Sequence, residues 1–472
     1  MVSPRHRRPS GLVVVLAVAI LVLAAAGGIG GYLVAHHLRV DKAVTAAKSA
    51  PPTPSALASA TLAPATEPAG ADGRLPRAAA LAAALVQAPA DPALGGRLLA
   101  QVVDGATGAV LYNHLGATPG PPASTAKLLT AAALLAVRAP TDRLTTKVVA
   151  GAPGTVVLVG GGDPTITGAP AGQPGAYPSA ARISDLAAQA RRALAGQRIQ
   201  RIVVDNALFS GPAVSPDWAA EDVPSDYAGA ITAVMADGGR AAPTDGIRST
   251  DPDLAAGAEL AAALGVARAP VTRGRAPANA TALAMVTSPP LSVLIGQMLQ
   301  ASDNVIAECL GRQVAIATAR PASFLGAAAA SRVALVKLGV DPGAGLRDGS
   351  GLAAGDRVSP ASLAGVLRLV TGTTHPALHV IVTALPVAGW SGTLANRYLA
   401  GSAGARGAGV VRAKTGTLTA VTSLAGIVHD ADGRLLTFAL LADQVPPGAE
   451  ATRAAEAVLD RIAAILAGCG CR

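Results

Sequence analysis

Ser124-Thr125-Ala126-Lys127 sets a hydroxyl and an amine three residues apart. On a helix, that spacing stacks both groups on one face, within reach of each other. A serine hydroxyl is a poor nucleophile until a base takes its proton. Lysine becomes such a base where apolar surroundings disfavour its ammonium form, and Leu128-Leu129-Thr130-Ala131 supplies them. If Ser124 opens the helix, the helix N-terminus also favours negative charge developing at the reacting centre. The chemistry this pair supports is nucleophilic attack by an activated serine. Taken alone, it is equally an ordinary helix cap beside an exposed lysine.

Two further motifs change that balance. Ser302-Asp303-Asn304 stands between two apolar helical runs, where Ser302 can relay a proton and Asn304 can hydrogen-bond a substrate backbone. The bland alternative is a polar N-cap. Lys414-Thr415-Gly416-Thr417 precedes the last hairpin. A strand there can pair with an extended peptide by β-augmentation, while Lys414 and the hydroxyls of Thr415 and Thr417 attract a terminal carboxylate. Gly416 allows the peptide to approach the backbone closely. The chain has only six lysines, and none but Lys127 has a serine three residues before it. Finding two of the six in these motifs is hard to assign to chance.

The three motifs in this order are the signature shared by β-lactamases and penicillin-binding proteins. In detail the chain resembles the low-molecular-mass class C penicillin-binding proteins, the D-alanyl-D-alanine carboxypeptidase/endopeptidase family, and looks actinobacterial. The resemblance rests also on Leu158-Val159-Gly160-Gly161-Gly162-Asp163-Pro164, Val204-Asp205, Phe209-Ser210-Gly211-Pro212 and Trp218. It continues through Ser288-Pro289-Pro290-Leu291, Asp348-Gly349-Ser350-Gly351-Leu352, Arg357-Val358-Ser359-Pro360 and Leu385-Pro386-Val387-Ala388-Gly389. It implies a serine transpeptidase-like fold, an acyl-enzyme at Ser124, and catalytic roles for Lys127, Ser302, Asn304 and Lys414. Thr415, Gly416, Thr417 and Ser350 would bind substrate, and the N–H groups of Ser124 and Thr417 would form an oxyanion hole. The implied substrate is the peptidoglycan stem peptide, with β-lactams as inhibitors and no cofactor or metal. Many relatives follow Asp-Gly-Ser-Gly-Leu with Ser-Arg, where this chain has Ala353-Ala354, so a cation for stem recognition is missing. The 178 residues from Ser124 to Ser302 are few for the family, implying that one inserted subdomain is reduced.

Around the motifs, the pattern of apolar runs predicts an α+β catalytic domain, residues 81–141 and 285–468, with a β-rich subdomain, 142–284, inserted into it. Leu98 to Val103 and Ala109 to Tyr112 read as a hairpin, as do Leu424 to Val428 and Leu435 to Leu441 across Asp430-Ala431-Asp432-Gly433. Lys127 to Val137 is too uniformly apolar for a surface helix. Leu291 to Leu299 and Val305 to Ala319 are helices flanking Ser302, and Glu450 to Leu466 is an amphipathic helix closing the chain. Val156 to Val159 and Ile202 to Asp205 are strands of the insertion, with helices near Ile183 to Leu194 and Asp253 to Leu264.

Composition limits the alternatives. Of 472 residues, 51 % are hydrophobic but only 2 % aromatic, so the core must be built from alanine, valine and leucine. The net charge of +9 invites an anionic partner, yet Arg5, Arg7, Arg8 and Arg39 precede any acidic residue. The remainder carries no basic stripe and few stacking aromatics, which excludes nucleic acid. Gly11 to Ala35 is 25 residues without a charge, long enough to span a bilayer, with three arginines before it. That arrangement predicts a cytoplasmic tail, residues 1–10, an anchor, 11–35, and an Ala/Pro-rich spacer, 36–80, with the catalytic domain outside; the rival is a cleaved signal peptide, whose apolar region would run only about 7–15 residues. In an oxidising exterior Cys309 could pair with Cys469 or Cys471. His375 and His379 are four apart but have Pro376 between them and no third ligand, which reads as a loop rather than a zinc site.

Two other functions compete. A β-lactamase needs fast deacylation, but no glutamate begins E-x-x-L-N and no tyrosine begins Y-A-N. A non-catalytic wall-binding protein would not need the intact Ser124, Lys127, Ser302 and Lys414.

Overall fold

The computed structural model describes residues 73–471. The expected cytoplasmic tail, the anchor at 11–35 and the spacer as far as residue 72 lie outside them. Among the described residues no helix is long and apolar enough to cross a membrane.

The folded chain opens with α1, Ala78–Ala84, so the spacer ends before residue 80. Leu81 is buried there, and the Arg77 N–H donates to the Cys471 carbonyl, joining the two ends of the domain. Strands β1, Leu99–Asp104, and β2, Val110–His114, form the expected hairpin. A single 3-10 turn, Ala123–Thr125, then leads into α2, Ala126–Val137. Ten of the twelve α2 residues are buried, as its uniform apolarity demands.

The chain next builds a second sheet from β3, Thr145–Ala150, β4, Thr155–Val159, β5, Arg201–Asp205, β6, Val271–Arg273, and β7, Ala282–Thr287. Helices α3, Ile183–Leu194, and α4, Pro252–Ala263, connect β4 to β5 and β5 to β6. Both of those pairings are parallel, and parallel strands require a crossover that a helix supplies. The unit is therefore a mixed α/β layer, order β6-β5-β4-β3-β7, rather than a mainly β one. Strand β7 pairs with β3 through Thr287, so the expected boundary at 284 falls within a strand.

Five helices follow: α5, Leu291–Ala301, α6, Asn304–Ala317, α7, Phe324–Lys337, α8, Pro360–Thr371, and α9, His379–Ala384. His379 thus opens a short helix, its ring bonded to the Gly372 carbonyl at 2.7 Å. The chain closes with β8, Arg412–Leu418, β9, Val421–His429, β10, Leu435–Ala442, and α10, Ala449–Gly468. The first sheet is antiparallel throughout, order β2-β1-β10-β9-β8.

This sheet lies between two helical layers. Side chains alternate along each strand, so Leu424, Val428, Phe438 and Leu440 face α1 and α10. Ala425, Ile427, Ala439 and Leu441 face α2 and α5 to α9. Every residue of β10 is buried, which identifies it as the central strand. Strand β8 lies at the edge and carries Lys414 to Thr417.

Asp104 and Arg434 tie the two hairpins together. Asp104 is wholly buried and accepts from Arg434 Nε at 2.6 Å and Nη2 at 2.8 Å, and from the Thr107 hydroxyl. Removing one partner of such a pair leaves an uncompensated buried charge. Arg434→Met is expected to lower the free energy of unfolding by about 3–5 kcal/mol, read from the urea midpoint. An unchanged midpoint would show that the pair contributes nothing.

The expected cysteine pairing is overturned. Cys309 is a buried free thiol on α6, whereas Cys469 and Cys471 are bonded to each other at the end of α10. Cys309 is held in the core by Trp218, Met235 and Phe324, among others, while the two other cysteines belong to the opposite face of the first sheet.

Candidate active site

Ser124 sits in the 3-10 turn immediately before α2, so Lys127 reaches back along one face. Its Nζ donates to Ser124 Oγ at 2.8 Å, to Asn304 Oδ1 at 2.6 Å and to the Ser350 carbonyl at 2.8 Å. Lys127 is wholly buried. Burial outweighs the carboxylates of Asp348, Glu308, Asp303 and Asp356 and brings its amine down to about 8. An amine with that value is neutral in part at pH 7 and can accept the serine proton.

The second motif is a bend between two helices. Ser302 ends α5 in the left-handed region, φ 56°, and Asp303 caps α6 by accepting from the Ile306 N–H at 2.9 Å. Ala123, next to the serine, also has positive φ, 46°. Non-glycine residues held so cost about 1 kcal/mol or more each and persist where the surroundings fix them. Asp303, the residue after Ser302, is fixed by Tyr177 Oη at 2.8 Å and Arg248 Nη2 at 3.0 Å, both from the second-sheet unit. Burial opposes a charge on Asp303, but Arg248 and these hydrogen bonds hold its carboxyl below the ordinary value.

Strand β8 brings the third motif alongside. Lys414 Nζ donates to Ser302 Oγ at 2.9 Å and to the Thr415 carbonyl at 2.7 Å. Burial, the Lys127 charge and the Arg397 charge push its ammonium well below the usual lysine value. Gly416 is needed here for close approach. A Cβ at that position would lie 2.9 Å from both the Ser124 nitrogen and the Pro122 carbonyl. Thr415 and Thr417 flank it, with the Thr415 hydroxyl bonded to Thr393 Oγ1 at 2.8 Å.

Eight of the nine predicted site residues therefore converge on one cleft or its floor. Ser350 does not line it, being wholly buried and meeting Lys127 only through its carbonyl. Asn304 lines the larger cavity, with its amide nitrogen donating to the Tyr227 carbonyl at 3.1 Å and its oxygen receiving Lys127.

Several contributors had no role assigned from the sequence, although Asp348 and Trp218 stand in motifs that carry the resemblance. Glu308 lies one turn after Asn304 on α6, wholly buried, and accepts from the N–H groups of Gly349 and Ser350 at 3.0 and 2.8 Å. It thereby fixes the turn whose carbonyl meets Lys127. Asp348 holds the same turn through the N–H groups of Gly351 and Ala353 and receives Trp218 Nε1 at 2.7 Å. Gly351, φ 80°, permits that turn to pass against the Ala123 carbonyl. The four-residue step from Asn304 to Glu308 was the available signal; nothing local announces Arg248.

Glu308→Gln keeps an acceptor for the two N–H groups but removes a charge that favours the Lys127 ammonium. The acid limb of the acylation rate against pH is expected to move to lower pH. A limb that stays in place would show that Glu308 acts only as a scaffold.

The cleft holds a cavity of about 940 Å3 on one side of Ser124 and another of about 380 Å3 on the other, sharing Ser124, Ser302 and Thr417. Fold and site together have the arrangement of a serine acyl-transfer protein: a serine hydroxyl bonded to a buried lysine, beside the edge strand of an antiparallel sheet. Residues 81–245 and 241–466 match the model of the D-Ala-D-Ala carboxypeptidase 3 (S13) family, and the chain belongs to that family. It is 44 % identical over 371 residues to a carboxypeptidase of Mycobacterium tuberculosis and equally to carboxypeptidase DacB of Mycolicibacterium smegmatis. Each alignment covers 77 % of this chain and 79 % of the relative. Penicillin binding protein 4 of Haemophilus influenzae, 22 % identical, shares the fold with a TM-score of 0.65 over 77 % of this chain and 95 % of that one.

Proposed function

We propose that the protein is a serine DD-peptidase that cleaves peptidoglycan stem peptides at D-Ala-D-Ala. The observation that carries this reading is that two bonded pairs, Lys127 with Ser124 and Lys414 with Ser302, meet at one cleft beside the edge strand β8. The stem peptide pairs with β8, and its scissile carbonyl sits over Ser124 with its oxygen toward the N–H groups of Ser124 and Thr417. Lys127 takes the serine proton as Oγ attacks, and the tetrahedral oxyanion forms against those N–H groups. Ser302, bonded to Lys414, relays a proton to the departing D-alanine amine. Water then hydrolyses the ester by the same proton path in reverse.

The lining of the larger cavity supports a substrate with a free amine, since Glu221, Asp222 and Asp443 face it against Arg357. That arginine stands three residues after Ala354, where many relatives carry their own. We further propose that the catalytic domain, with the second-sheet unit inserted between α2 and α5, lies on the outer side of a membrane that residues 11–35 span.

The test is to incubate the ectodomain with a fluorescent penicillin and, separately, with a stem pentapeptide. Stable label on the peptide containing Ser124, together with release of D-alanine, is the expected result. Rapid loss of label with penicillin hydrolysis would point to a β-lactamase instead. No label and no D-alanine would overturn both enzymatic readings.

A further inference from the structure

The smaller side of the cleft contains a charge arrangement that the three motifs do not account for. It is lined by Thr393, Thr415, Gly416 and Thr417, and by Arg397 and Glu456. Arg397 is anchored from behind. Its Nε and Nη2 grip Asp460 at 2.9 and 2.7 Å, and Nη2 also donates to the Glu456 carbonyl at 3.0 Å. Its Nη1 approaches Glu456 Oε1 only to 3.9 Å, beyond hydrogen-bond distance. Glu456 in turn accepts from the Thr417 hydroxyl at 3.1 Å.

A glutamate carboxylate thus stands on the threonine hydroxyl that a peptide carboxylate would need, beside a guanidinium edge with donors to spare. Lys414 cannot easily be the countercharge there, because it is wholly buried and committed to Ser302 and the Thr415 carbonyl. Asp460 fixes the guanidinium plane, so Nη1 needs no rearrangement to receive a new partner. Glu456 lies on α10 with its side chain 24 % exposed, so it has solvent to turn into.

We propose that Arg397 and Glu456 are the carboxylate-selecting device of this site: the substrate's terminal carboxylate displaces Glu456 from Thr417 and is received by Arg397 Nη1. The proposal rests on the peptidase reading above and names how that activity chooses a free C-terminus. Glu456 makes the exchange selective. A carboxylate recovers both the Thr417 hydroxyl and the guanidinium, whereas a neutral C-terminus displaces a charge and recovers only a weaker bond. The device acts on acylation alone, since D-alanine and its carboxylate have left before water attacks the ester.

The experiment compares diacetyl-Lys-D-Ala-D-Ala with the same peptide as its C-terminal amide, in the wild type, Arg397→Gln, Arg397→Lys and Glu456→Gln. Arg397→Gln is expected to lower kcat/KM for the acid about tenfold or more relative to the amide. Arg397→Lys should restore part of the preference. Glu456→Gln, which leaves the Arg397–Asp460 pair intact, should raise kcat/KM for the acid severalfold and not for the amide. Equal losses for acid and amide would make Arg397 a support for α10 and overturn the proposal. So would label and D-alanine release with no change in acid preference in any variant. A wild type that neither takes penicillin nor releases D-alanine would overturn the peptidase reading, and this inference with it.

Discussion

Ser124→Ala is expected to abolish covalent labelling by penicillin and to lower kcat/KM for D-alanine release by about 10,000-fold or more. Without Oγ there is no atom to carry the acyl group, and the cleft can only bind and orient. The change should leave the fold alone. Ser124 is half-buried, and its side chain holds the structure together only through the bond from Lys127. The turn around it is pinned elsewhere, by the Thr125 and Ser423 hydroxyls donating to the Pro122 carbonyl at 2.6 and 2.7 Å. A melting temperature within a degree or two of the wild type, measured on the unlabelled variant, would separate lost chemistry from lost structure. Residual labelling of the variant would mean that another residue is acylated.

Lys127→Met is the second large effect, and pH gives it a signature. An ordinary lysine near 10.5 is about 0.03 % neutral at pH 7, whereas one near 8 is about 9 % neutral. Burial therefore raises the supply of base by more than a hundredfold. Because the active form is the deprotonated amine, acylation should rise with pH, about tenfold per pH unit well below 8, and level off above it. The methionine variant should lose about a thousandfold or more and lose the limb as well. A wild-type rate that is flat between pH 6 and 9 would remove Lys127 from the role of base. The substitution need not destabilise the protein. It leaves the Ser350 carbonyl and Asn304 Oδ1 without their donor but also removes a buried amine, so the two costs oppose each other.

The elements that hold the site were legible because their patterns are strong and local. The α2 run has no polar face, so it can only be a buried helix. The near-continuous apolar runs of β9 and β10 suit a sheet covered on both sides, and the closing helix shows its apolar stripe directly. Helix α3 falls on the predicted residues, Ile183 to Leu194. The parallel pairings of the second sheet were not legible. Short apolar runs separated by glycine and proline look alike whether their partner runs with them or against them, and only the α3 and α4 crossovers decide it. The cysteine expectation failed for a related reason: sequence counts thiols but does not say that Cys309 lies in a different core from the C-terminus.

By itself, the sequence determined which chemistry this chain can do. Serine and lysine three apart, a serine–asparagine bend and a lysine–threonine–glycine strand are each short enough that local backbone geometry fixes their internal relations. The tertiary structure alone decided how those pieces act on one another. The pKa of the Lys127 amine is lowered because α2 is enclosed on every side, and Lys414 meets Ser302 because β8 passes the end of α5 across 112 residues. Glu308 steadies the Ser350 turn, Arg248 and Tyr177 grip Asp303 from another unit, and Arg397 reaches the cleft only because α10 returns to it. Burial and long-range contact set the charge on each group, and neither is a property of neighbours in sequence. The six lysines show the division most plainly: their spacing marked two of them, and packing buried both and lowered the pKa of each.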